Sequence, residues 1–166
     1  MATKKSTLFS GNFKNWLAIA ALVVIFDQMS KLVTLQVLKE GDSQVINSFT
    51  NWVLVYNSGA AFSFLANAGG WQKWFFIGIS GSAALIMLWL LVRHSHQTIF
   101  CISISLVLGG AVGNLIDRFT HGAVVDFIDV FYGRYHWPAF NVADSAITIG
   151  GAFLILDELR RVIRHK

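Results

Sequence analysis

The sequence predicts an all-α polytopic membrane protein with four transmembrane helices and a small extracytoplasmic β-sheet. Its 166 residues are 55% hydrophobic and only 13% charged, whereas a soluble domain is about a quarter charged. Four segments of roughly 20 residues carry almost no charge, and a helix of that length crosses the hydrocarbon core of a bilayer. The basic residues gather at the ends of these segments. At this length we expect one integral membrane domain over residues 1–166.

The four predicted spans are about 16–38, 72–92, 98–116 and 137–158. Asp27 and Lys31 interrupt the first span, and Asp144 lies in the fourth. Because lysines precede the first segment, it could also be a cleavable signal peptide. However, it is too long for the apolar region of such a peptide and offers no small-residue cleavage site, so we predict that it is retained.

The positions of the charges predict the orientation in the membrane. Eight of the thirteen basic residues lie before the first span, in the short loop after the second, or at the end of the chain. Cytoplasmic segments carry an excess of Lys and Arg, so both termini are predicted to be cytoplasmic. The same placement argues against a nucleic-acid partner, despite the net charge of +4. Tryptophans predicted to mark the interfaces are Trp16 and Trp89 on the inner side and Trp71, Trp74 and Trp137 on the outer side.

Two segments outside the spans face the predicted outer side. Residues 43–66 are rich in Val, Ile, Phe, Trp and Tyr and are broken by Asn-Ser and Ser-Gly. This composition predicts two or three short strands or a hairpin. Residues 119–136 are predicted to form an outer loop, which carries "VVDFIDV" at 124–130.

The polar residues in and beside the spans are predicted to lie at one depth, close under the outer surface. They are Asp27 and Lys31 in the first span, Asn114, Asp117 and Arg118 at the end of the third, and Asn141 and Asp144 at the start of the fourth. Ionisable residues within a membrane are costly and usually face a bundle interior or a wet cavity. We therefore expect these side chains to share a polar pocket among the helices.

Several polar residues and glycines also have a purely structural interpretation. Asp27 and Lys31 are one helical turn apart and are expected to form a structural ion pair. Asp117 and Arg118 could form a charge pair at a helix end. Asn57, Asn114 and Asn141 are expected to supply hydrogen bonds. The glycines expected to allow close helix packing are Gly109, Gly110, Gly113, Gly150, Gly151, Gly78 and Gly81.

Asp126 and Asp144 are harder to explain structurally, because neither has a basic residue three or four positions away. Asp126 lies among Val, Phe and Ile residues, and burial in such surroundings raises the pKa of a carboxyl group. Two carboxyl groups brought together would share one proton, so that one could act as a general base and the other as a general acid on a water molecule. The residues alone leave two alternatives open: a proton relay or ion pathway, and a membrane assembly factor without chemistry.

The chain carries no pattern typical of a metal or cofactor site. Cys101 is the only cysteine and lies in an apolar run, where we expect a small buried side chain. The five histidines lie in loops and at segment ends, without the spacing of zinc ligands. No metal and no cofactor are therefore expected.

Five sequence blocks resemble, in order and spacing, the motifs of bacterial lipoprotein signal peptidase, also called signal peptidase II. The blocks are "DQMSK" at 27–31, "NSGAAFS" at 57–63, "GGAVGNLIDR" at 109–118, "VVDFIDV" at 124–130 and "FNVADS" at 140–145. The resemblance runs from the first predicted span to the fourth. It implies an intramembrane aspartic endopeptidase of the bacterial inner membrane, with four helices, an outward-facing β-cradle, a short outer helix and an active site near the outer face.

The resemblance also implies what the residues do. The catalytic pair falls on Asp126 and Asp144, so the resemblance selects Asp126 over Asp129, a choice that spacing alone leaves open. The supporting residues fall on Asp27, Lys31, Asn57, Gly59, Asn114, Asp117, Arg118, Asn141 and Ala143. The expected substrates are diacylglyceryl-modified prolipoproteins, cut just before the lipid-modified cysteine. The remaining implications are contact with membrane lipid, a monomeric state, no metal, and inhibition by cyclic peptides of the globomycin type.

Overall fold

The structure is a computed structural model that describes residues 11–59 and 69–164. The helices are α1 (Gly11–Val37), α2 (Gln72–Arg93), α3 (Thr98–Thr120) and α4 (Val142–Arg164). The strands are β1 (Ser43–Asn47), β2 (Thr50–Asn57), β3 (Val124–Tyr132) and β4 (Tyr135–His136). The protein is therefore mostly helical with one small sheet. Within these two ranges there is no short outer helix of the kind that the resemblance implies.

Three of the helices are long and apolar enough to cross a membrane: Asn12–Val37 of α1, α2 and α3. α4 has 23 residues, but five of the residues between Asp157 and Arg164 are charged, and it is not among these three. It also begins at Val142, five residues after the start of the predicted fourth span, because Asn141 caps it.

α3 lies at the centre of the bundle and packs against α1, α2 and α4. Glycines allow these close approaches. A methyl group on Gly109 would lie 2.7 Å from the Ala20 carbonyl oxygen of α1, and one on Gly150 of α4 would lie 2.7 Å from the Ser103 carbonyl oxygen of α3. The packing role expected for Gly109, Gly110, Gly113 and Gly150 is thus confirmed. It is wrong for Gly78, Gly81 and Gly151, because a methyl group added at any of them would lie more than 4 Å from every neighbouring atom of the described residues.

The four strands form an antiparallel sheet in chain order, β1-β2-β3-β4. The hairpin expected from the apolar segment after α1 is present as β1 and β2, and residues 60–66 of that segment lie outside the described ranges. Residues 124–132 form strand β3, whereas the sequence analysis expected a loop. The alternating side chains of this segment pair with β2, with Asp126 opposite Val55 and Val124 opposite Asn57.

Two hydrogen bonds place three chain segments at the same end of the bundle. The Trp16 indole N–H donates to the Ser95 carbonyl at 3.0 Å, and the Arg161 guanidinium donates to Gln97 Oε1 at 2.6 Å. Trp16 is therefore buried in the core at this end of the bundle, and its place at the inner membrane interface stays a prediction. The start of α1, the α2–α3 turn and the end of α4 lie together, and the sheet lies at the opposite end.

Candidate active site

Asp126 lies on β3, and its side chain is buried, with 2% of the residue exposed. Asn141 Nδ2 donates to its Oδ1 at 2.7 Å, and Asn57 Nδ2 donates to its Oδ2 at 3.2 Å. Asn57 is the last residue of β2, so the pairing of β2 with β3 brings this amide to the carboxylate. Both carboxylate oxygens of Asp126 are thus held by side-chain amides.

Asp144 lies in the first turn of α4. Asn141 caps this helix, because its Oδ1 accepts a hydrogen bond from the Asp144 backbone N–H at 2.8 Å. Asn114 Nδ2, from α3, donates to Asp144 Oδ1 at 2.8 Å. Within residues 11–59 and 69–164, no hydrogen bond reaches Asp144 Oδ2, which leaves this oxygen for a water molecule or a substrate.

The two carboxylates, which are 18 positions apart in sequence, line the same cavity of about 690 Å³. Asn141 binds both of them, the Asp126 carboxylate through Nδ2 and the Asp144 backbone through Oδ1. Asn141 Nδ2 also donates to Asn114 Oδ1 at 3.2 Å, which links it to the amide that holds Asp144. The structure therefore brings the two acids of the sequence analysis to one site.

The surroundings of Asp126 raise its pKa from 3.8 to about 7. Burial contributes most, since it disfavours the charged form, and the nearby Asp144 carboxylate adds to the effect by repelling a second negative charge. The hydrogen bonds from Asn57 and Asn141 and the charge of Lys31 act in the opposite direction. A carboxyl group with a pKa near neutrality can both accept and donate a proton at physiological pH.

A buried charge cluster lies beside the pair, centred on Lys31 of α1. Its ammonium lies 2.7 Å from Asp27 Oδ2 and 2.7 Å from Asp117 Oδ2, and it donates to Asn114 Oδ1 at 3.1 Å. The ion pair expected between Asp27 and Lys31 is thus confirmed. The charge pair expected between Asp117 and Arg118 is not formed. Asp117 forms its salt bridge with Lys31, and Arg118 donates to the backbone carbonyls of Asn114 and Gly59.

The carboxylates of this cluster each hold the backbone just before one of the paired acids. Asp27 Oδ1 accepts a hydrogen bond from the N–H of Ala143, the residue before Asp144, at 2.9 Å. Asp117 Oδ2 accepts one from the N–H of Val125, the residue before Asp126, at 3.0 Å. The Lys31 cluster therefore fixes the start of α4, which carries Asp144, and the start of β3, which carries Asp126.

Gln28 joins the same cluster and was missed by the sequence analysis. Its Nε2 donates to Asp117 Oδ1 at 2.9 Å, to Asp27 Oδ2 at 3.1 Å and to the Gly113 carbonyl at 3.2 Å. It connects α1 to α3, gives Asp117 Oδ1 a donor, and shares Asp27 Oδ2 with Lys31. The available signal was its position directly after Asp27 in an otherwise apolar segment.

Arg118 holds the end of the β2 segment over the cavity. Its guanidinium donates to the Gly59 carbonyl at 3.0 Å and to the Asn114 carbonyl at 3.3 Å, and it lies 5.1 Å from the centre of the Phe76 ring. Asn57 Oδ1 in turn accepts a hydrogen bond from the Gly59 N–H at 3.0 Å. All residues that the resemblance implied therefore lie in this one network.

The fold and the site together define a multi-helix membrane protein with a polar cavity at one end of the bundle and a pair of carboxylates in that cavity. Within the described ranges, no three His, Cys, Asp or Glu side chains are grouped so that they could hold a metal ion.

Comparison with known proteins assigns this protein to a family. The family model described as signal peptidase (SPase) II matches residues 19–160. The lipoprotein signal peptidase of Cupriavidus taiwanensis is 57% identical over 150 residues, which are 90% of this chain and 85% of that protein. The lipoprotein signal peptidase of Ralstonia nicotianae is 55% identical over 149 residues, or 90% of this chain and 86% of that protein. The chain belongs to the signal peptidase II family.

Two solved structures have the same fold. Both are described as bacterial membrane enzymes studied by the in meso method. One is 35% identical, with a TM-score of 0.83 and coverage of 92% of each chain. The other is 36% identical, with a TM-score of 0.76, and covers 88% of this chain and 93% of its own. Family membership makes the protein a peptidase of lipoprotein processing, which removes the relay and assembly-factor alternatives.

Proposed function

We propose that the protein is an aspartic endopeptidase that removes the signal peptide from prolipoproteins just before the diacylglyceryl-modified cysteine. The observation that carries this proposal is the pair Asp126 and Asp144, which line one cavity and are joined through Asn141. The relatives named lipoprotein signal peptidase support the substrate class.

In the proposed mechanism, a water molecule between the two carboxyl groups attacks the scissile carbonyl. The ionised carboxylate takes a proton from the water, and the protonated carboxyl delivers one to the departing amine. The competent state therefore has one proton on the pair. Asn57, Asn114 and Asn141 hold the carboxyl groups in fixed orientations, so little reorganisation is needed during the reaction.

The proposal includes a placement in the bacterial inner membrane. The spans about 16–38, 72–92, 98–116 and 137–158 would form one membrane domain, with both termini cytoplasmic and the cavity near the outer face. The basic residues at the end of the bundle opposite the sheet support this orientation. At that depth the scissile bond of a signal peptide that spans the membrane would reach the two acids.

The sheet would form a cradle over the cavity and clamp the extended part of the substrate. The contact between Arg118 and Gly59 supports this role, because it fixes the chain after β2 at the rim of the cavity. Cyclic peptides of the globomycin type would compete for the same 690 Å³ space. The proposed enzyme would act as a monomer.

Cleavage by the purified protein in liposomes is expected to require the lipid on the substrate and no free metal. A lipid-modified precursor should be cut, and the matched precursor without the diacylglyceryl group should remain intact, as measured by mass spectrometry of the products. A chelator should leave the rate unchanged. Loss of cleavage with the chelator would exclude the metal-free pair, and equal cleavage of both precursors would exclude the lipid requirement.

The raised pKa of Asp126 predicts the direction of the pH dependence. Because the folded protein holds this proton more tightly than the unfolded chain, the stability that it contributes is complete below pH 3.8 and is lost as the pH rises through about 7. Activity should likewise fall as the pH rises above about 7, since the pair then loses its shared proton.

Asn57→Ala provides a test of this assignment. Its Nδ2 hydrogen bond lowers the pKa of Asp126, so its removal should move the alkaline limb of the kcat/KM profile to higher pH. Asn47→Ala is the control, because Asn47 lies at the exposed hairpin tip and accepts a hydrogen bond from the Phe49 N–H. An alkaline limb that stays in place, or moves to lower pH, would contradict a titrating Asp126.

A further inference from the structure

The amide of Gln28 lies between α1 and α3, on the side of α1 that also carries Lys31 three positions later. Its Nε2 is within hydrogen-bond distance of three acceptors: Asp117 Oδ1, Asp27 Oδ2 and the Gly113 carbonyl. Carboxylate and backbone carbonyl oxygens only accept hydrogen bonds, so the NH₂ group of the glutamine, and not its Oε1, must occupy this position. The surroundings therefore fix the orientation of the Gln28 amide.

The two carboxylates depend on Gln28 to different degrees. Asp27 Oδ2 also accepts a hydrogen bond from Lys31 Nζ at 2.7 Å, and its Oδ1 accepts a backbone N–H of α4. Asp117 Oδ2 likewise has two partners, Lys31 Nζ and the Val125 N–H. Asp117 Oδ1, however, accepts from Gln28 alone among residues 11–59 and 69–164. The second oxygen of Asp117 thus relies on this amide.

Loss of that donor would change the rotation of the Asp117 carboxylate. Asp117 is buried, with 1% of the residue exposed, and a buried carboxylate oxygen without a donor is costly. The carboxylate would rotate to bring both oxygens toward the Lys31 ammonium. That rotation would take Oδ2 away from the N–H of Val125, the residue before Asp126.

We infer that Gln28 is a positioning residue for Asp126: its amide sets the rotation of the Asp117 carboxylate, which holds the backbone at the start of β3. Gln28 is not among the described residues that line the catalytic cavity, so it acts through Asp117 and does not touch the substrate. This role in the reaction rests on the proposed function, whereas the effect on the Asp117 carboxylate does not.

Gln28→Met tests the effect on the backbone without any cleavage assay. Methionine has a similar length and no donor. The Val125 amide proton of the purified variant should exchange with solvent roughly tenfold faster than in the wild type, as measured by NMR, since its acceptor is no longer held in place. The Ala143 amide proton should change much less, because Asp27 Oδ1 holds it and Asp27 keeps Lys31 as a partner.

Cleavage of a lipid-modified precursor tests the role in the reaction. Gln28→Met should lower kcat by roughly tenfold to 10²-fold through misplacement of Asp126 and leave KM nearly unchanged. Gln28→Glu keeps the shape of the side chain but puts an acceptor beside two carboxylates, so it should lose at least as much activity. Gln36→Met is the matched control, because it makes the same substitution at an exposed position of α1 and should change neither kcat nor the Val125 signal.

The wild-type protein provides a measurement that does not depend on the folding of any variant. The side-chain amide protons of Gln28 should exchange with solvent more slowly than those of the exposed Gln36, since Gln28 Nε2 donates to three buried acceptors. Equal exchange rates of the two side chains would overturn the inference.

Three further outcomes would contradict it. Unchanged exchange at Val125 in folded Gln28→Met would show that Asp117 keeps its rotation without Gln28. A raised KM with an unchanged kcat would show that Gln28 contacts the substrate. An equal loss of kcat in Gln36→Met would trace the effect to α1 in general. If the wild type itself failed to cleave, the proposed function would fall, and the comparison of Val125 with Ala143 would still decide whether Gln28 positions β3.

Discussion

Replacement of Asp144 by Asn is expected to lower kcat by roughly 10²–10⁴-fold, the usual contribution of a general acid or base. The amide retains the shape of the carboxyl group, and its oxygen can still accept the hydrogen bond from Asn114 Nδ2. Its NH₂ group then occupies the Oδ2 position, where it can neither take a proton from water nor share one with Asp126. The variant should therefore fold and accumulate in the membrane without cleaving a lipid-modified precursor.

Asp126→Asn should be equally inactive, but it should also be somewhat less stable. Both oxygens of Asp126 accept amide hydrogen bonds, so an asparagine would place its NH₂ group against one of the two donors. Asp157→Asn is the matched control, because this carboxylate lies on the same helix as Asp144 but pairs with Arg161 at the far end of the bundle. Substantial turnover by either dyad variant, measured by product mass, would remove the assignment of the pair.

Gly110→Ala is expected to have the second largest effect. A methyl group at this position would overlap the Ala143 carbonyl oxygen and lie 2.7 Å from Ile147 Cγ1. α4 would have to move away from α3, which would separate Asp144 from the amide of Asn114. Overpacking of this kind costs about 1–3 kcal/mol in stability, and a misplacement of about 1 Å costs roughly 10²-fold in rate.

Gly151→Ala provides the control for Gly110→Ala. Both glycines lie inside helices, but a methyl group on Gly151 meets no atom within 4 Å among the described residues. Because alanine favours a helix by up to about 1 kcal/mol over glycine, this variant should be as stable as the wild type or slightly more stable. Thermal unfolding and initial cleavage rates distinguish the two cases. Equal behaviour of the variants would show that the α3–α4 approach does not fix Asp144.

The candidate site could be predicted from the sequence because charged residues stand out in apolar segments. A carboxylate such as Asp27 in a membrane-capable helix needs a polar neighbour, and the depth of each residue follows from its position in the segment. The choice of Asp126 over Asp129 did not follow from spacing. It needed the resemblance. In the structure, Asp129 is engaged by Asn51 and His136, whereas Asp126 lines the cavity with Asp144.

Other features depended on contacts between distant parts of the chain and could not be read locally. The pairing of β3 is one such feature: its sequence is rich in Val, Ile, Phe and Tyr, which favour a strand, but it does not show that β2 lies beside it. Trp16 is buried because the Ser95 carbonyl meets it. Whether a glycine such as Gly151 packs closely depends on which helix faces it, and helical periodicity alone does not give that neighbour.

The shared role of Lys31 has a consequence for how the protein can move. The anchors of both acids, Asp27 and Asp117, rest on this one ammonium. Asp27 lies on α1 and Asp117 on α3, so the two salt bridges of this ammonium tie the two helices together, and a displacement of one helix would be passed to the other. If Asp126 and Asp144 share a proton as proposed, this single cation outside the pair would limit changes in their separation while the substrate binds.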